Sequence, residues 1–240
     1  MTTEQLRVEL DGKDPETVIR RAWETFGDAL VFATSLAAED QVITDIIARN
    51  AWPIPFVTLD TGRLFPETYA LLAETEKRYG IRIRAFFPDS AQVEEMVAGK
   101  GVNLFYDSLE NRKLCCRVRK LEPLKRALAP YRAWICGLRR EQSVTRAAVR
   151  VVEDDGANGL TKVNPLAAWS EQEVWGYIAA RHVPYNPLHD QGFPSIGCAC
   201  CTRAVKRTED VRAGRWWWEQ PEHKECGLHG RSQKSGGQTR

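Results

Sequence analysis

The chain has 240 residues, of which 43% are hydrophobic and 28% charged, with seven cysteines and a formal net charge of +2. This length suits one domain, the apolar fraction is too high for a disordered chain, and no apolar run reaches the roughly 20 residues that span a bilayer. The N-terminus lacks the basic-then-apolar pattern of a secretory signal, so we expect a soluble, cytoplasmic protein without a membrane partner. In that compartment seven cysteines do not form a disulfide framework, and they are expected to be metal ligands, catalytic thiols or buried small residues.

Helical and strand-like segments alternate along the first 137 residues. The first helix is predicted to begin at Asp14, an N-cap followed by Pro15, and to end at Gly27. Four short apolar runs are typical of buried parallel strands, at 29–33, 54–59, 81–86 and 134–137. The segments between them predict helices that start at 34–40, cover 66–79 and cover 112–129. This alternation predicts an α/β fold with a mostly parallel twisted sheet flanked by helices.

The pattern changes after Val163. Ser170 starts a capping box that predicts a helix to about Arg181, and an irregular, proline-containing stretch then leads to a group of cysteines. The last ten residues, 231–240, are polar and glycine-rich, which predicts a disordered tail. We therefore expect residues 1–230 to form a single domain that ends in an irregular C-terminal segment.

The turn at 34–40 lies where open α/β sheets bind ligands, at the carboxyl end of a strand. A helix N-terminus there offers free N–H groups to a phosphate or sulfate, and Ser35 adds a hydroxyl donor. The turn lacks the Gly-Lys-Ser/Thr of a Walker loop and the glycines of a dinucleotide-binding loop. On spacing alone, most such turns only cap their helix.

Four of the seven cysteines form two pairs that suit a metal centre. Cys115 and Cys116 are adjacent, and Cys198 and Cys201 form a C-x-x-C pair. Four thiolates suit zinc or an iron–sulfur cluster. Adjacent cysteines are unusual for zinc because neighbouring side chains diverge, whereas a larger cubane accepts them more easily.

The other three cysteines have separate interpretations. Cys136 lies in an apolar strand and is predicted to be core. Cys200 lies between two candidate ligands and is left unassigned. Cys226 is followed by a glycine and by His229, which suits a reactive thiol near the C-terminus, although spacing alone also allows an incidental tail cysteine.

The small net charge conceals an asymmetry between the two halves of the chain. Residues 1–110 carry 11 basic and 19 acidic side chains, a net charge of −8, and residues 111–240 carry 23 basic and 13 acidic ones, a net charge of +10. All seven cysteines and all four histidines lie in the basic half. A solvated basic face is the simpler interpretation, but basic groups beside thiols attract anions, so the clustering favours an anionic substrate.

These residues together resemble the motifs of one enzyme family. The family is that of the adenosine 5′-phosphosulfate (APS) and phosphoadenosine phosphosulfate (PAPS) reductases, in its assimilatory, iron–sulfur branch. The resemblance covers roughly residues 25–230, and its motifs are 34–40, 59–62, Cys115-Cys116, 137–143, the C-x-x-C pair and 225–229. The turn at Ser35 resembles the modified phosphate loop of adenine-nucleotide alpha-hydrolase-like folds. The resemblance implies a single reductase domain with a catalytic segment at about 205–230.

The resemblance also implies a reaction. Thioredoxin or glutaredoxin would supply the thiols for the reduction of APS to sulfite and AMP, in sulfate assimilation and cysteine biosynthesis. Cys226 would be the nucleophile that attacks the sulfur of APS and carries an S-sulfonate intermediate. A 4Fe–4S cluster on Cys115, Cys116, Cys198 and Cys201 is implied as well, in an electrostatic or structural role because the thiols already supply both electrons.

Positive charge beside the thiolate is needed to hold the substrate and to spread charge in the transition state. The candidate substrate-binding residues are Ser35, Lys120, Arg139, Arg140, Arg212, Arg215 and His229. The resemblance implies that Lys120, Arg212 and Arg215 lie near the substrate or the cluster, and that His229 contacts the substrate or activates the thiol. For Arg140, ordinary surface charge is an equally supported interpretation.

Several alternatives stay open from the sequence. PAPS remains an alternative substrate, because the link between cysteine pairs and APS is only an association within the family. A PP-loop tRNA-thiolating enzyme would share the fold, but Leu36-Ala37-Ala38 replaces the glycines that hold pyrophosphate. No nucleic-acid partner is expected, since the block 216–218 of three tryptophans favours core packing or a thioredoxin contact over base stacking. A non-catalytic zinc module would leave Ser35 and Cys226 without a role, and the sequence does not decide whether the chain forms a homo-oligomer.

Overall fold

The computed structural model describes residues 2–143, 146–206 and 208–220. Within them the strands are β1 Leu30–Ala33, β2 Phe56–Leu59, β3 Ile83–Phe86, β4 Ala133–Ile135, β5 Val152–Asp155 and β6 Leu160–Val163. The α-helices are α1 Thr3–Leu10, α2 Pro15–Phe26, α3 Ala38–Arg49, α4 Pro66–Tyr79, α5 Ser90–Lys100, α6 Leu109–Cys116, α7 Glu122–Leu128 and α8 Glu171–Arg181. None of these helices is long and apolar enough to cross a membrane.

The six strands form one sheet in the order β3-β2-β1-β4-β6-β5. The first five of that order run parallel, and β5 pairs antiparallel with β6 at the edge. The chain therefore builds outward from β1 to β3 and then crosses back to place β4 on the other side of β1. At such a reversal the loops that follow the two neighbouring strands diverge and leave a crevice at the carboxyl edge of the sheet. The predicted fold class is confirmed.

The core lies on both faces of the sheet. Successive side chains of β1 alternate, so that Leu30 and Phe32 pack on the face covered by α1, α2, α3 and α8, whereas Val31 packs on the face covered by α7. All three of these side chains are fully buried. Burial on both faces explains why β1 reads as a continuous apolar run and not as an alternating one.

Most of the predicted elements agree with the structure, with one element divided and four others not predicted. All four predicted strands are present, and Ser170 caps α8 with the predicted capping box. The predicted continuous helix over 112–129 is instead divided by a π-helical stretch at Arg117–Leu121. The hairpin of β5 and β6 was not predicted, nor were α1 and α5. The predicted disordered tail at 231–240 lies outside the described residues.

Candidate active site

A cavity of about 290 Å³, here called the large cavity, opens at the carboxyl edge of the sheet. It lies between the loop that follows β1 and the loop that follows β4, where the strand order reverses. Its remaining wall comes from residues 194–198 and 211–216. The volume is close to the lower end of the range for small-ligand pockets.

The loop after β1 is held in shape by Asp40 in the first turn of α3. The backbone N–H and the hydroxyl of Ser35 both donate to Asp40 Oδ2, at 2.6 and 2.7 Å. The N–H of Gly137, from the loop after β4, donates to Asp40 Oδ1 at 3.0 Å. A Cβ at Gly137 would overlap that carboxylate oxygen, so the close approach of the two loops requires glycine. Leu36 adopts a left-handed backbone with φ of 61°, a strained conformation of the kind that collects at ligand sites.

Burial shapes the acidity of the Asp40 carboxyl group. The side chain is almost inaccessible, and desolvation raises its pKa to about 6, although the hydrogen bonds from Ser35 act in the opposite direction. Near neutral pH the group is therefore a carboxylate that accepts three hydrogen bonds. These three hydrogen bonds hold the Ser35 loop in one shape within the protein, so the loop is preformed for a ligand.

Cations from three parts of the chain line the large cavity. They are Lys120, Arg139, Arg146, Arg212 and Arg215. Arg139 is buried and paired with Glu39, with 2.8 Å between its NH2 atom and Glu39 Oε1, so its charge is largely neutralised within the protein. The guanidinium of Arg140 lies away from this wall: the side chain is exposed, and its Nε donates to the carbonyl of Val149.

Arg215 is fixed by unusually close packing. Its NH1 atom donates to Ser195 Oγ at 3.2 Å and to the Ile196 carbonyl at 3.3 Å, and its guanidinium lies 4.7 Å from the centre of the Trp216 ring. A Cβ at Gly197 would overlap the guanidinium, so any other residue at that position would displace it. The side chain is buried and its Nε has no hydrogen-bond partner among the described residues. A buried cation aimed at a cavity is suited to an anionic ligand.

A second, much smaller cavity of about 10 Å³, here called the thiol cavity, adjoins the first. Five cysteines line it: Cys115 and Cys116 at the end of α6, and Cys198, Cys200 and Cys201 around a short 3-10 turn. The basic side chains of Arg63, Arg112, Arg119 and Lys120 complete its walls together with Phe105 and Trp216. The two predicted cysteine pairs, far apart in sequence, are thus brought to one place.

The thiols of this cavity differ in their acidity. Burial raises the pKa of Cys115 to about 11. The Sγ atoms of Cys200 and Cys201 lie 3.8 Å apart, and this contact between the two thiols lowers the pKa of Cys200 and raises that of Cys201. Cys136 is separate: it is buried in the sheet with its thiol 3.1 Å from Asn164 Oδ1, as predicted for a core residue.

Three residues form the wall between the two cavities. Lys120, Cys198 and Trp216 line both of them. Lys120 belongs to the π-helical stretch, a rare geometry that is frequent at functional sites. Trp216 is fully buried with a left-handed φ of 41°, which is unusual for a bulky side chain. Core packing, one of the two roles predicted for the tryptophan block, is confirmed for Trp216, whereas Trp217 is partly exposed.

Comparison with known proteins places the chain in a family. Residues 29–204 match the family model described as the phosphoadenosine phosphosulfate reductase domain. An adenosine 5′-phosphosulfate reductase of Allochromatium vinosum is 61% identical over 204 residues, which cover 85% of this chain and 80% of that protein. One of Burkholderia cepacia is 53% identical and covers 84% and 81% of the two chains. The chain belongs to the APS/PAPS reductase family.

Solved structures agree with this assignment. The phosphate complex of a PAPS reductase from Candida auris is 30% identical, with a TM-score of 0.73, and covers 85% of this chain and 96% of its own. Yeast FAD synthetase, at 16% identity and a TM-score of 0.54, shares the fold alone. Both similarities support the adenine-nucleotide alpha-hydrolase-like architecture implied by the Ser35 loop.

The family site contains residues that sequence reasoning did not single out. Arg119 is buried in the π-helical stretch and donates from NH1 to the Thr61 carbonyl at 2.7 Å. His189 lines the large cavity against Trp175, and neither imidazole nitrogen has a partner among the described residues. Burial lowers the pKa of His189, so it is neutral near pH 7. Only its place in Pro187-Leu188-His189 before the C-x-x-C pair could have drawn attention to it. The predicted nucleophile Cys226 and His229 lie outside the described residues.

Proposed function

We propose that this chain is a thiol-dependent APS reductase that produces sulfite and AMP. The observation that carries the proposal is the shared wall of Lys120, Cys198 and Trp216, which puts a cation-lined cavity directly against a cavity lined by five thiols. This adjacency supports the proposal, because a cluster held by the thiols would lie beside an anionic nucleotide in the large cavity. The names of the relatives from Allochromatium vinosum and Burkholderia cepacia support APS as the substrate.

The residues of the thiol cavity suit a 4Fe–4S cluster. Two buried donors that line the cavity, Arg119 Nε and Trp216 Nε1, have no acceptor in the described part of the chain, and sulfide or thiolate sulfur would supply one. In residues 2–143, 146–206 and 208–220 no group of His, Cys, Asp and Glu is arranged to hold a metal ion. A single ion needs its ligands at one point, whereas each cysteine of a cubane binds a different iron. Cys115, Cys116, Cys198 and Cys201 would hold the cluster, which supplies a charged group beside the substrate.

The large cavity would hold the substrate. The helix N-terminus behind the Ser35 loop would face the anion, and Arg212, Arg215 and Lys120 would add positive charge from the other side. That charge stabilises the developing negative charge on the departing AMP. His189 is neutral and offers ring nitrogens without partners to the same space.

The chemistry assigned to Cys226 balances without any further redox group. The Cys226 thiolate attacks the sulfur of APS, an S–S bond forms, the S–O bond to phosphate breaks, and AMP leaves with that electron pair. A thiolate of thioredoxin or glutaredoxin then attacks Cys226 Sγ and releases sulfite. The two thiols of the reductant become a disulfide, which accounts for both electrons that reduce the sulfur.

The decisive experiment compares sulfite release from APS and from PAPS, with reduced thioredoxin and anaerobically purified protein. We expect APS to be the far better substrate and the preparation to hold about four iron and four sulfide per chain. A clear preference for PAPS would favour the PAPS reductase alternative. Stoichiometric zinc without sulfide would favour a zinc module. Release of sulfite from neither APS nor PAPS would overturn the proposal.

A further inference from the structure

The described chain ends in a segment, residues 212–219, that touches both cavities. Arg212 and Arg215 face the large cavity, and Trp216 lies in the wall between the two. Four residues after Arg215, the carboxylate of Glu219 turns back to the thiol cavity and meets Arg112 of α6. This segment therefore links the substrate side of the protein to the side that holds the thiols.

We propose that the buried ion pair of Arg112 and Glu219 is a positioning device, which holds segment 212–219 so that Arg212 and Arg215 stay aimed at the substrate. The proposal rests on the proposed function, because it concerns S-sulfonation of Cys226 by APS. Arg112 and Glu219 line no part of the large cavity. They act through the segment and do not touch the reacting atoms.

The ion pair is bidentate and buried from solvent. Arg112 Nε donates to Glu219 Oε1 and Arg112 NH2 to Glu219 Oε2, both at 2.8 Å. The exposed fractions of the two side chains are 1% and 6%. Arg112 also interacts with the Cys116 thiol and lies 4.9 Å from the centre of the Trp216 ring. One guanidinium thus contacts a proposed cluster ligand, the shared wall and the end of the segment.

The segment needs such a restraint because its backbone is strained. Trp216 has a left-handed φ of 41°, a conformation that costs of the order of 1–3 kcal/mol and persists only when its surroundings fix it. Its N–H donates to the Cys201 carbonyl at 3.1 Å, and the N–H of Glu219 donates back to the Trp216 carbonyl at 2.8 Å. The left-handed turn is therefore fixed at its start by the cysteine loop and at its end by the residue that pairs with Arg112.

A second arginine–glutamate pair nearby shows what is particular to the first. Arg203 also makes two hydrogen bonds to one carboxylate, that of Glu209, at 3.0 and 2.7 Å. Its side chains are 38% and 29% exposed, and the pair lines neither cavity. An exposed pair contributes little, whereas a buried pair is costly to desolvate and is retained where it fixes one arrangement. The exposed pair is thus a matched control in the same region of the chain.

The consequence for the reaction follows through the two arginines. Arg212 and Arg215 lie in the same segment as Glu219 and line the large cavity. Releasing Glu219 from Arg112 of α6 would let this segment shift, and a misplaced positive charge lowers the rate of reaction at the sulfur of APS.

The test uses the full cluster-loaded chain and a single turnover of APS without reductant, which traps the S-sulfonate on Cys226 for mass spectrometry. The variants are Glu219→Gln, Glu219→Asp and the control Glu209→Gln. We expect the rate constant of S-sulfonation to fall about 100-fold in Glu219→Gln, with partial recovery in Glu219→Asp. The control should stay within about twofold of the parent protein. A purely structural defect lowers the amplitude of the reaction, whereas a positioning defect lowers its rate constant at unchanged iron content.

Removing one partner of a buried pair can also destabilise the fold, because it leaves Arg112 without Glu219. The double variant Arg112→Met/Glu219→Met avoids this by replacing both charges with apolar side chains, and we expect it to hold iron and to react as slowly as Glu219→Gln. An unchanged rate constant in either cluster-loaded variant would overturn the proposal. Loss of iron in all the Arg112 and Glu219 variants would assign the pair to folding and overturn it too. Failure of the parent protein to form an S-sulfonate would instead refute the proposed function.

Discussion

The two cavities share a wall, yet they differ in size and in chemistry. The large cavity is open, holds about 290 Å³ and mixes cations with Glu39, Asp40 and a neutral His189. The thiol cavity holds about 10 Å³ and combines thiols with cations and two aromatic rings, without a carboxylate in its lining. The large cavity has room for a ligand that enters and leaves, whereas the thiol cavity contains buried donors without acceptors among the described residues. Lys120, Cys198 and Trp216 form the wall that the two cavities share.

The largest expected effect is the loss of the reaction without any change in cluster content. Cys226→Ser should abolish sulfite production, because the serine hydroxyl cannot act as the thiolate nucleophile, while iron and sulfide contents stay unchanged. The measurement is sulfite release with thioredoxin, alongside the visible spectrum of the cluster. Normal sulfite formation in this variant would refute the assigned mechanism.

The next effect tests whether the thiol cavity is a cluster site. Cys198→Ala removes a proposed ligand from the shared wall, and we expect it to lose most iron and sulfide and nearly all activity. Cys136→Ala is the matched control for iron, since its thiol contacts Asn164 in the sheet and not the thiol cavity. Iron analysis and the visible spectrum give the result. Full iron content in Cys198→Ala would show that Cys198 is not a ligand, and Cys200 would then be the next cysteine to test as a ligand.

A third effect belongs to the large cavity alone. Arg215→Ala removes a fixed cation that faces the substrate, and the loss of one such group lowers kcat/KM by about 100- to 1000-fold. The iron content should stay unchanged. Arg82→Ala is the control, because that side chain is 92% exposed in a surface ion pair with Glu76. Equal kcat/KM values for the two variants would show that the large cavity does not hold the anion.

The comparison of the cavities also shows what sequence can reveal. The Ser35 loop and the first strands were predictable because local signals and burial agree there: a continuous apolar run, then a polar turn, then a helix. The convergence of Cys115 with Cys198 was expected from their residue types and from the resemblance. Their shared wall with Lys120 required the structure, because it depends on a π-helical stretch that no sequence pattern indicates.

Other features were missed for identifiable physical reasons. Arg140 and its neighbour Arg139 are the same residue type, but Arg139 has an extended backbone whereas Arg140 begins a 3-10 turn, and only Arg139 lines the large cavity. The hairpin of β5 and β6 lacks an apolar run, because β5 contains three acidic residues and β6 contains Thr161 and Lys162. Glu219 carries no motif at all, and its pairing with Arg112 across 107 positions of sequence is purely tertiary.

A smaller effect tests the preformed Ser35 loop. Ser35→Ala removes the hydroxyl that donates to Asp40 Oδ2 but keeps the backbone N–H bond to the same oxygen. A hydrogen bond to a charged group contributes about 1.5 kcal/mol at the lower end, which corresponds to roughly a tenfold loss in kcat/KM for APS. The cluster spectrum should not change. Steady-state kinetics with APS measure the effect, and an unchanged KM and kcat would show that the hydroxyl contributes nothing to the loop.

The smallest effect is a pH dependence of the same loop. The pKa of Asp40 is raised to about 6, so the carboxylate that accepts three hydrogen bonds becomes protonated below that pH. The added proton competes with one of the three donors, and we expect kcat/KM for APS to fall about fivefold with a midpoint near pH 6. The kinetic profile should be measured from pH 5 to 8.

The titration of Asp40 would not produce this fall in kcat/KM at acid pH by unfolding the protein. The pKa of Asp40 is higher in the folded protein than its ordinary value of 3.8, so between about pH 4 and 6 the folded state binds this proton more readily than the unfolded state. The contribution of Asp40 to the free energy of unfolding therefore increases as pH falls through 6. Activity and stability should change in opposite directions over this window as far as Asp40 governs them. Circular dichroism at pH 5 checks that the fold is intact, and a kinetic profile that is flat down to pH 5 would show that protonation of Asp40 leaves the Ser35 loop in place.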